Sequence, residues 1–255
     1  LSVSEETRLA LRRSLFQRLF ESMRQREAVD GIKRTVTLDV QYRMHPVLGG
    51  FVSDTFYAPY GEAFRSETPA DQFEHALPGY QPHVAAWVDV PLSAGKEQGG
   101  QSKRRPAEGR WIAKELRSLA TVRPDLSFGV ISFYAGQVDG ILAELEPLGI
   151  AEQLPDGSFR VADAWRETRG MDGHLKERIR VGTVDAFQGK EFDVVFLSMT
   201  RSNDLPITDN RSLRRKFGHL MLENRLCVAM SRQQRLLIVV GDSGMLRGEV
   251  AEQSL

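Results

Sequence analysis

The sequence predicts an α/β protein built on a mainly parallel sheet with helices on both faces. Short β-branched runs alternate with helix-periodic segments along most of the 255 residues. One of the runs, 128–133, is almost wholly apolar, as expected of a strand in a buried parallel sheet. Polar clusters follow several runs, and in such sheets ligands collect beyond the carboxyl ends of the strands. The clusters after Val40, Phe133 and Val184 are therefore expected there.

Each element has its own signal. Ser4-Glu5-Glu6-Thr7 is a helix-start pattern, and Leu11, Leu15, Phe16, Leu19, Phe20 and Met23 then recur at three- and four-residue spacing. Residues 35–40 alternate with a β-branched bias and read as a short strand. Pro46 suits the first turn of a helix over about 47–55. Residues 58–83, rich in Pro, Gly and charge, read as an irregular excursion, and 84–90 as a strand. Residues 93–105 form a polar loop expected to be mobile. Pro106 opens a helix with Trp111, Ile112, Leu116 and Leu119 on its apolar face. The strand at 128–133 leads to a helix carrying Val138, Ile141, Leu142 and Leu145. Residues 149–176, punctuated by Pro155-Asp156-Gly157, read as an insertion. Strands are expected at 179–184, 194–199 and 236–240, with a helix from Leu220 to about Arg232.

Composition bounds the function. The 41% hydrophobic and 27% charged residues are those of a globular protein, and no apolar run nears the roughly 20 residues that cross a bilayer. No membrane partner is expected. The first residues hold no basic region followed by an apolar core, hence no secretory signal. A chain that opens without Met on a helix-start pattern is expected to be part of something longer. Lys plus Arg equal Asp plus Glu at 34 each, which argues against binding nucleic acid through global positive charge but leaves room for a local basic groove. The single Cys227 excludes a disulfide or zinc framework within the chain and fits a reducing, cytoplasmic setting.

Three clusters carry the chemistry: Gln41-Tyr42-Arg43-Met44-His45-Pro46, the run from Val181 through Gln188-Gly189-Lys190-Glu191 to Asp193, and Asn224-Arg225-Leu226-Cys227-Val228-Ala229-Met230-Ser231-Arg232. No Gly-x-x-x-x-Gly-Lys-Ser/Thr phosphate loop accompanies them. Arg43 and Arg232 suit an oxyanion, because a guanidinium is planar and keeps its charge; surface salt bridges are the plainer alternative. Tyr42 offers a ring for stacking or a core tyrosine. Gly189 permits a turn that a side chain would hinder. Arg225 and Arg232, seven apart, are expected on one helical face, one on phosphate and the other on a neighbouring carboxylate. Arg211, Arg214, Arg215 and Lys216 form the strongest basic cluster, a strand-following surface or a solvated loop, and Lys103-Arg104-Arg105 a weaker one. His45 reads as structural.

Together with Ser132-Phe133-Tyr134-Ala135-Gly136-Gln137, these clusters resemble, in order, spacing and wording, motifs of superfamily 1 helicases. The likeness is to the branch containing the nonsense-mediated decay helicase and senataxin, over roughly residues 8–242. It implies that residues 1–255 form the second, C-terminal RecA-like domain, with the insertion at 149–176 and the first RecA-like domain outside the chain. ATP is the implied nucleotide, with Mg2+ held by the first domain. Arg43 and Arg232 would then be catalytic fingers on the γ-phosphate. Tyr42, Gln188, Gly189, Glu191 and Arg225 would contact the nucleotide, with Glu191 on the ribose. Ser132, Tyr134, Thr183, Val184 and Asp185 would contact single-stranded nucleic acid, DNA favoured over RNA, with Gln137 tying the loop down. The fragment alone is expected to hydrolyse nothing. The family often reads Leu-Asn-Val-Ala-Leu-Thr-Arg-Ala where this chain has Leu226-Cys227-Val228-Ala229-Met230-Ser231-Arg232-Gln233, so a bracing amide is lost while hydroxyl and guanidinium remain. Two alternatives stand beside the motor: a degenerate docking scaffold, and a helicase module of a nuclease fusion. A phosphate-binding metabolic enzyme is disfavoured by the missing glycine-rich loop.

Overall fold

A computed structural model describes residues 15–36 and 38–247. The predicted helix start at Ser4–Thr7 and Leu11 lie outside the described residues, as do the side chains of Leu15 and Phe16. The chain forms two compact units, Leu1–Asp39 and Val40–Leu255. In the first, helix α1 (Leu15–Asp30) leaves Leu19 and Met23 exposed. Its end is tied by Glu27, which accepts from Thr35 Oγ1 at 2.8 Å, and by Asp30 on the Arg34 guanidinium. Of the strand expected over 35–40, only Val40 lies in a strand among the described residues. Val36 and Leu38 stand exposed, because β-branched bias makes a strand only where a neighbour pairs with it.

The second unit holds the sheet. Strands β1 (Val40–Gln41) and β2 (Arg65–Ser66) pair in parallel as a short separate ladder. The main sheet has five parallel strands in the order β3-β11-β10-β4-β9. They are β3 (Ala85–Asp89), β4 (Phe128–Ser132), β9 (Ile179–Thr183), β10 (Phe192–Ser198) and β11 (Gln233–Gly241). Every residue of β10 is buried, since alternate side chains enter two separate cores. Val194 and Phe196 face Ile112, Leu116, Ile141 and Leu145 of helices α3 (Pro106–Val122) and α4 (Ala135–Leu145). Val195 and Leu197 face Leu48, Val52 and Phe187 on the opposite side. That second layer includes helix α2 (Pro46–Val52), which Pro46 opens as expected and which runs on through a π-helical turn to Tyr57. The fold is thus the α/β sandwich that the apolar strands announce.

Local departures are informative. The polar segment 93–105 is held, not loose: Gln98 and Arg104 form a β-bridge, and Arg105 is fully buried. Its guanidinium binds Glu108 at 3.0 Å and the carbonyls of Gly95 and Pro91. A triplet that reads as surface charge therefore gives one residue to the interior, where pairing makes burial tolerable. The segment 149–176 folds as two antiparallel hairpins, β5 (Ala151–Gln153) with β6 (Phe159–Val161) and β7 (Glu167–Arg169) with β8 (Leu175–Glu177). The basic cluster lies on a helix, α5 (Asn210–Phe217). The helix expected to reach Arg232 stops sooner, as α6 (Glu223–Ala229), and β11 begins at Gln233. Arg232 is a connector residue, so the shared helical face with Arg225 does not exist. No described helix is long and apolar enough to cross a membrane.

Candidate functional site

The Gln41–Pro46 loop is built by its own side chains. Gln41 donates from Nε2 to the Met44 carbonyl and accepts the Met44 N–H at Oε1, closing the loop on itself. Gly49 must be bare, because a Cβ there would sit 2.5 Å from Ser66 Oγ and 2.7 Å from Gln41 Nε2. The His45 N–H donates to the Gln234 carbonyl, fixing the loop against the start of β11. His45 Nδ1 accepts from the Val47 N–H as the cap of α2, and burial first, then His75, pushes the imidazole pKa down. A neutral capping imidazole is what the position requires.

Arg43 is thereby delivered to the amino ends of β10 and β11. Its Nε donates to Glu191 Oε2 at 2.8 Å and its Nη1 to the Ser231 carbonyl at 3.2 Å. Gln234 Nε2 donates to the other oxygen of Glu191. Arg232 stands beside them, half-buried, with Nε on the Val228 carbonyl at 3.0 Å and Nη2 on Ser231 Oγ at 2.8 Å. Among the described residues no carboxylate forms a salt bridge with it. Burial first, then the charge of Arg43, pushes its pKa down, while Glu191 acts the other way. A guanidinium held in place by neutral groups beside a second guanidinium has the chemistry to take up an anion, although Arg43 is itself paired with Glu191. Tyr42 is 65% exposed, its hydroxyl 3.3 Å from Glu67, so the ring is open to solvent rather than part of the core.

Sequence reasoning passed over Tyr57. Its hydroxyl lies 3.9 Å from Cys227 Sγ and feels both arginines, although burial raises its pKa first. It follows the helix expected over 47–55, yet only the π-helical turn at 53–57 aims it here. Burial likewise pushes the Cys227 thiol up, away from thiolate reactivity.

The other motif folds back over the sheet. After Thr183 a 3-10 turn, Val184–Phe187, lays Phe187 against bare Gly129, where a Cβ would come within 2.8 Å of the ring. This return brings Gln188, Gly189 and Glu191 to the amino end of β10. Gln188 and Glu191 are exposed, and Gly189 sits at φ +73°, a left-handed turn that favours glycine. Arg225 is not among this group. Its Nη2 donates to Asp185 at 2.9 Å, the carboxylate-holding alternative.

Several expectations fail at the opposite end. Ser132 is fully buried, with Oγ 3.1 Å from Thr200 Oγ1, and Val184 is buried in the core. Tyr134 is buried too; its hydroxyl accepts from the His219 N–H at 3.2 Å and from Arg201 Nη1. The Ser132 and Tyr134 side chains are engaged inside the protein and are not free to meet a strand, and at Val184 only the backbone is left to do so. Gln137 accepts the Arg105 N–H and donates to Ser198 Oγ, bracing that end. Thr183 remains half-buried and Asp185 exposed. Of the clusters expected beyond the carboxyl ends, Tyr134 and Thr183 do lie at the ends of β4 and β9, whereas Arg43 and Glu191 lie at the amino ends of β10 and β11, beside Arg232. Among the described residues no group of three or more His, Cys, Asp or Glu side chains is placed to hold a metal ion.

The AAA domain family matches residues 11–244. Regulator of nonsense transcripts 1 of Caenorhabditis elegans is 29% identical over 233 residues, 89% of this chain and 19% of that protein. DNA polymerase alpha-associated DNA helicase A of Saccharomyces cerevisiae is 28% identical over 253 residues, 93% of this chain and 31% of that protein. The solved C-terminal domain of a possible DNA helicase from Lactobacillus plantarum, 12% identical, covers 79% of this chain and 88% of its own at a TM-score of 0.43. The chain thus spans less than a third of the length of these two curated relatives. With that match across nearly its whole length, the chain belongs to the AAA domain family, within the superfamily 1 helicases.

Proposed function

We propose that this chain is the C-terminal motor domain of an ATP-dependent helicase or translocase. One observation carries the reading: Arg232 is half-buried without a carboxylate partner among the described residues, next to the Arg43–Glu191 pair on an open edge. Arg43 and Arg232 offer two positive charges to a triphosphate held by a first RecA-like domain. ATP with Mg2+ fits this donor set, since guanidinium groups take phosphate oxygens and the metal is assigned to the partner domain. Glu191 accepts hydrogen bonds from the ribose hydroxyls, Tyr42 stacks on the base, and the bend at Gln188 and Gly189 shapes the rim. Thr183 and Asp185 are left to meet the nucleic acid, and Asp185 is linked through Arg225 to the helix that leads to Arg232.

Single-stranded DNA is favoured over RNA as the track, and an intracellular setting is assigned. The isolated chain binds nucleotide weakly and hydrolyses none. The testing experiment is nucleic-acid-stimulated ATPase of the protein that joins this chain to a first RecA-like domain, compared on single-stranded DNA and RNA. Stimulation is the expected result, and no ATPase with either strand would defeat the reading.

A further inference from the structure

Helix α5 is held at both ends by dedicated groups. Asp209 caps it, accepting from the Ser212 N–H at 2.7 Å while Ser212 Oγ accepts from the Asp209 N–H. At its far end buried Arg201 donates from Nη2 to the carbonyls of Arg215 and Lys216, a cation on the negative end of the helix dipole. Glu97 balances Arg201 at 3.0 Å, and Tyr134 Oη accepts from its other nitrogen. Tyr134, which fails as a strand contact, thus helps hold this helix in place. Tyr134 follows β4 and Arg201 follows β10, so α5 ends over the carboxyl ends of those strands.

What the helix displays is unbalanced charge. Arg211, Arg214 and Arg215 are exposed, three and four residues apart, and share one face about 6 Å long. None forms a salt bridge with a described carboxylate. Like charges at this spacing destabilise an isolated helix, and the two caps offset that cost. In a chain with zero formal net charge, such a face is a local concentration, not a consequence of composition. It lies at the other end of β10 from Arg43 and Arg232, roughly 20 Å for seven residues.

We propose that Arg211, Arg214 and Arg215 of α5 bind consecutive phosphates of a nucleic-acid single strand, independently of base sequence. This rests on the helicase reading, which supplies the strand. The test is fluorescence anisotropy of the full chain with labelled oligo-dT and oligo-U over a range of salt. Each phosphate neutralised on a single strand contributes about 0.7 to the slope of log affinity on log salt. The triple change Arg211→Gln, Arg214→Gln, Arg215→Gln is expected to flatten that slope by about 2 on both strands. The matching triple change to Lys keeps the charge and is expected to keep the slope. Equal slopes for the wild type and the Gln variant overturn the helix contact and leave the helicase reading intact. Loss in the Lys variant as large as in the Gln variant shows that the helix acts through its fold, and overturns the proposal. So does unchanged oligonucleotide binding with lost binding to polyglutamate, which would mark an acidic protein partner. A wild-type chain that binds neither oligonucleotide overturns both the proposal and its premise.

Discussion

The two ends of the β10 strand use the same residue types in opposite ways. At the amino end, Arg43, Glu191 and Arg232 form a half-exposed group in which one guanidinium has no carboxylate among the described residues. At the carboxyl end, Ser132, Tyr134 and Gln137 are satisfied by groups inside the protein, Ser132 by Thr200, Tyr134 by His219 and Arg201, and Gln137 by Arg105 and Ser198. Motif wording does not separate these cases, since segments at both ends resemble the helicase pattern. Satisfaction does: a polar group with all its partners inside supports the fold, and one left short of a partner at an open edge is available to a ligand.

The sharpest way to break this contrast is Arg232→Ala in the protein joined to its first domain. ATPase is expected to fall on the order of 10³-fold with the melting curve little changed, and a near-normal rate would return Arg232 to the surface. Asp193→Asn probes the supporting charges at the same end. Asp193 is buried, bound by Lys176, by Arg235 at 2.7 Å and by the Ser127 N–H at 2.8 Å. Its burial works to raise the pKa, but these partners win and hold it below the ordinary 3.8. Its stabilisation is therefore complete above that value and is lost as pH falls through the depressed folded pKa. Urea unfolding of the Asn variant is expected to show a loss of about 3–5 kcal/mol at neutral pH, with a flatter acid limb.

At the carboxyl end, Tyr134→Phe removes the acceptor for His219 and Arg201, and about 1–3 kcal/mol of stability is expected to go with it. ATPase measured without nucleic acid should stay at its wild-type level; a fall would mean that Tyr134 acts at the nucleotide. The smallest effect on stability is that of Glu191→Gln. Arg43 and Glu191 are 36% and 47% exposed, so the pair is screened and its loss should cost less than about 1 kcal/mol. Nucleotide binding should weaken all the same, as read by titration with a fluorescent ATP analogue.

Much of this was legible beforehand. The strands at 128–133 and 194–199 announce themselves because burial on both faces leaves no polar alternation to mislead. Arg43, Glu191 and Arg232 stand out by their neighbours, and the fold does gather them. Tyr57 was missed because nothing local distinguishes it; only the π-helical turn directs it toward the arginines. Arg105 reads as surface charge although its partner Glu108 is only three residues away, because the burial of both, with the Gly95 and Pro91 carbonyls, is set by packing.

The amino-acid sequence alone determined the sheet-and-helix class, the family, and which arginines to watch, because periodicity and motif wording are properties of neighbouring residues. Only the tertiary structure decided which polar side chains are spent on one another and which stay open. It also placed the guanidinium pair at the amino ends of the strands rather than the carboxyl ends. Both follow from partners distant along the chain, such as Tyr134 with His219 and Arg43 with Glu191, which meet only once the two cores have closed on the sheet.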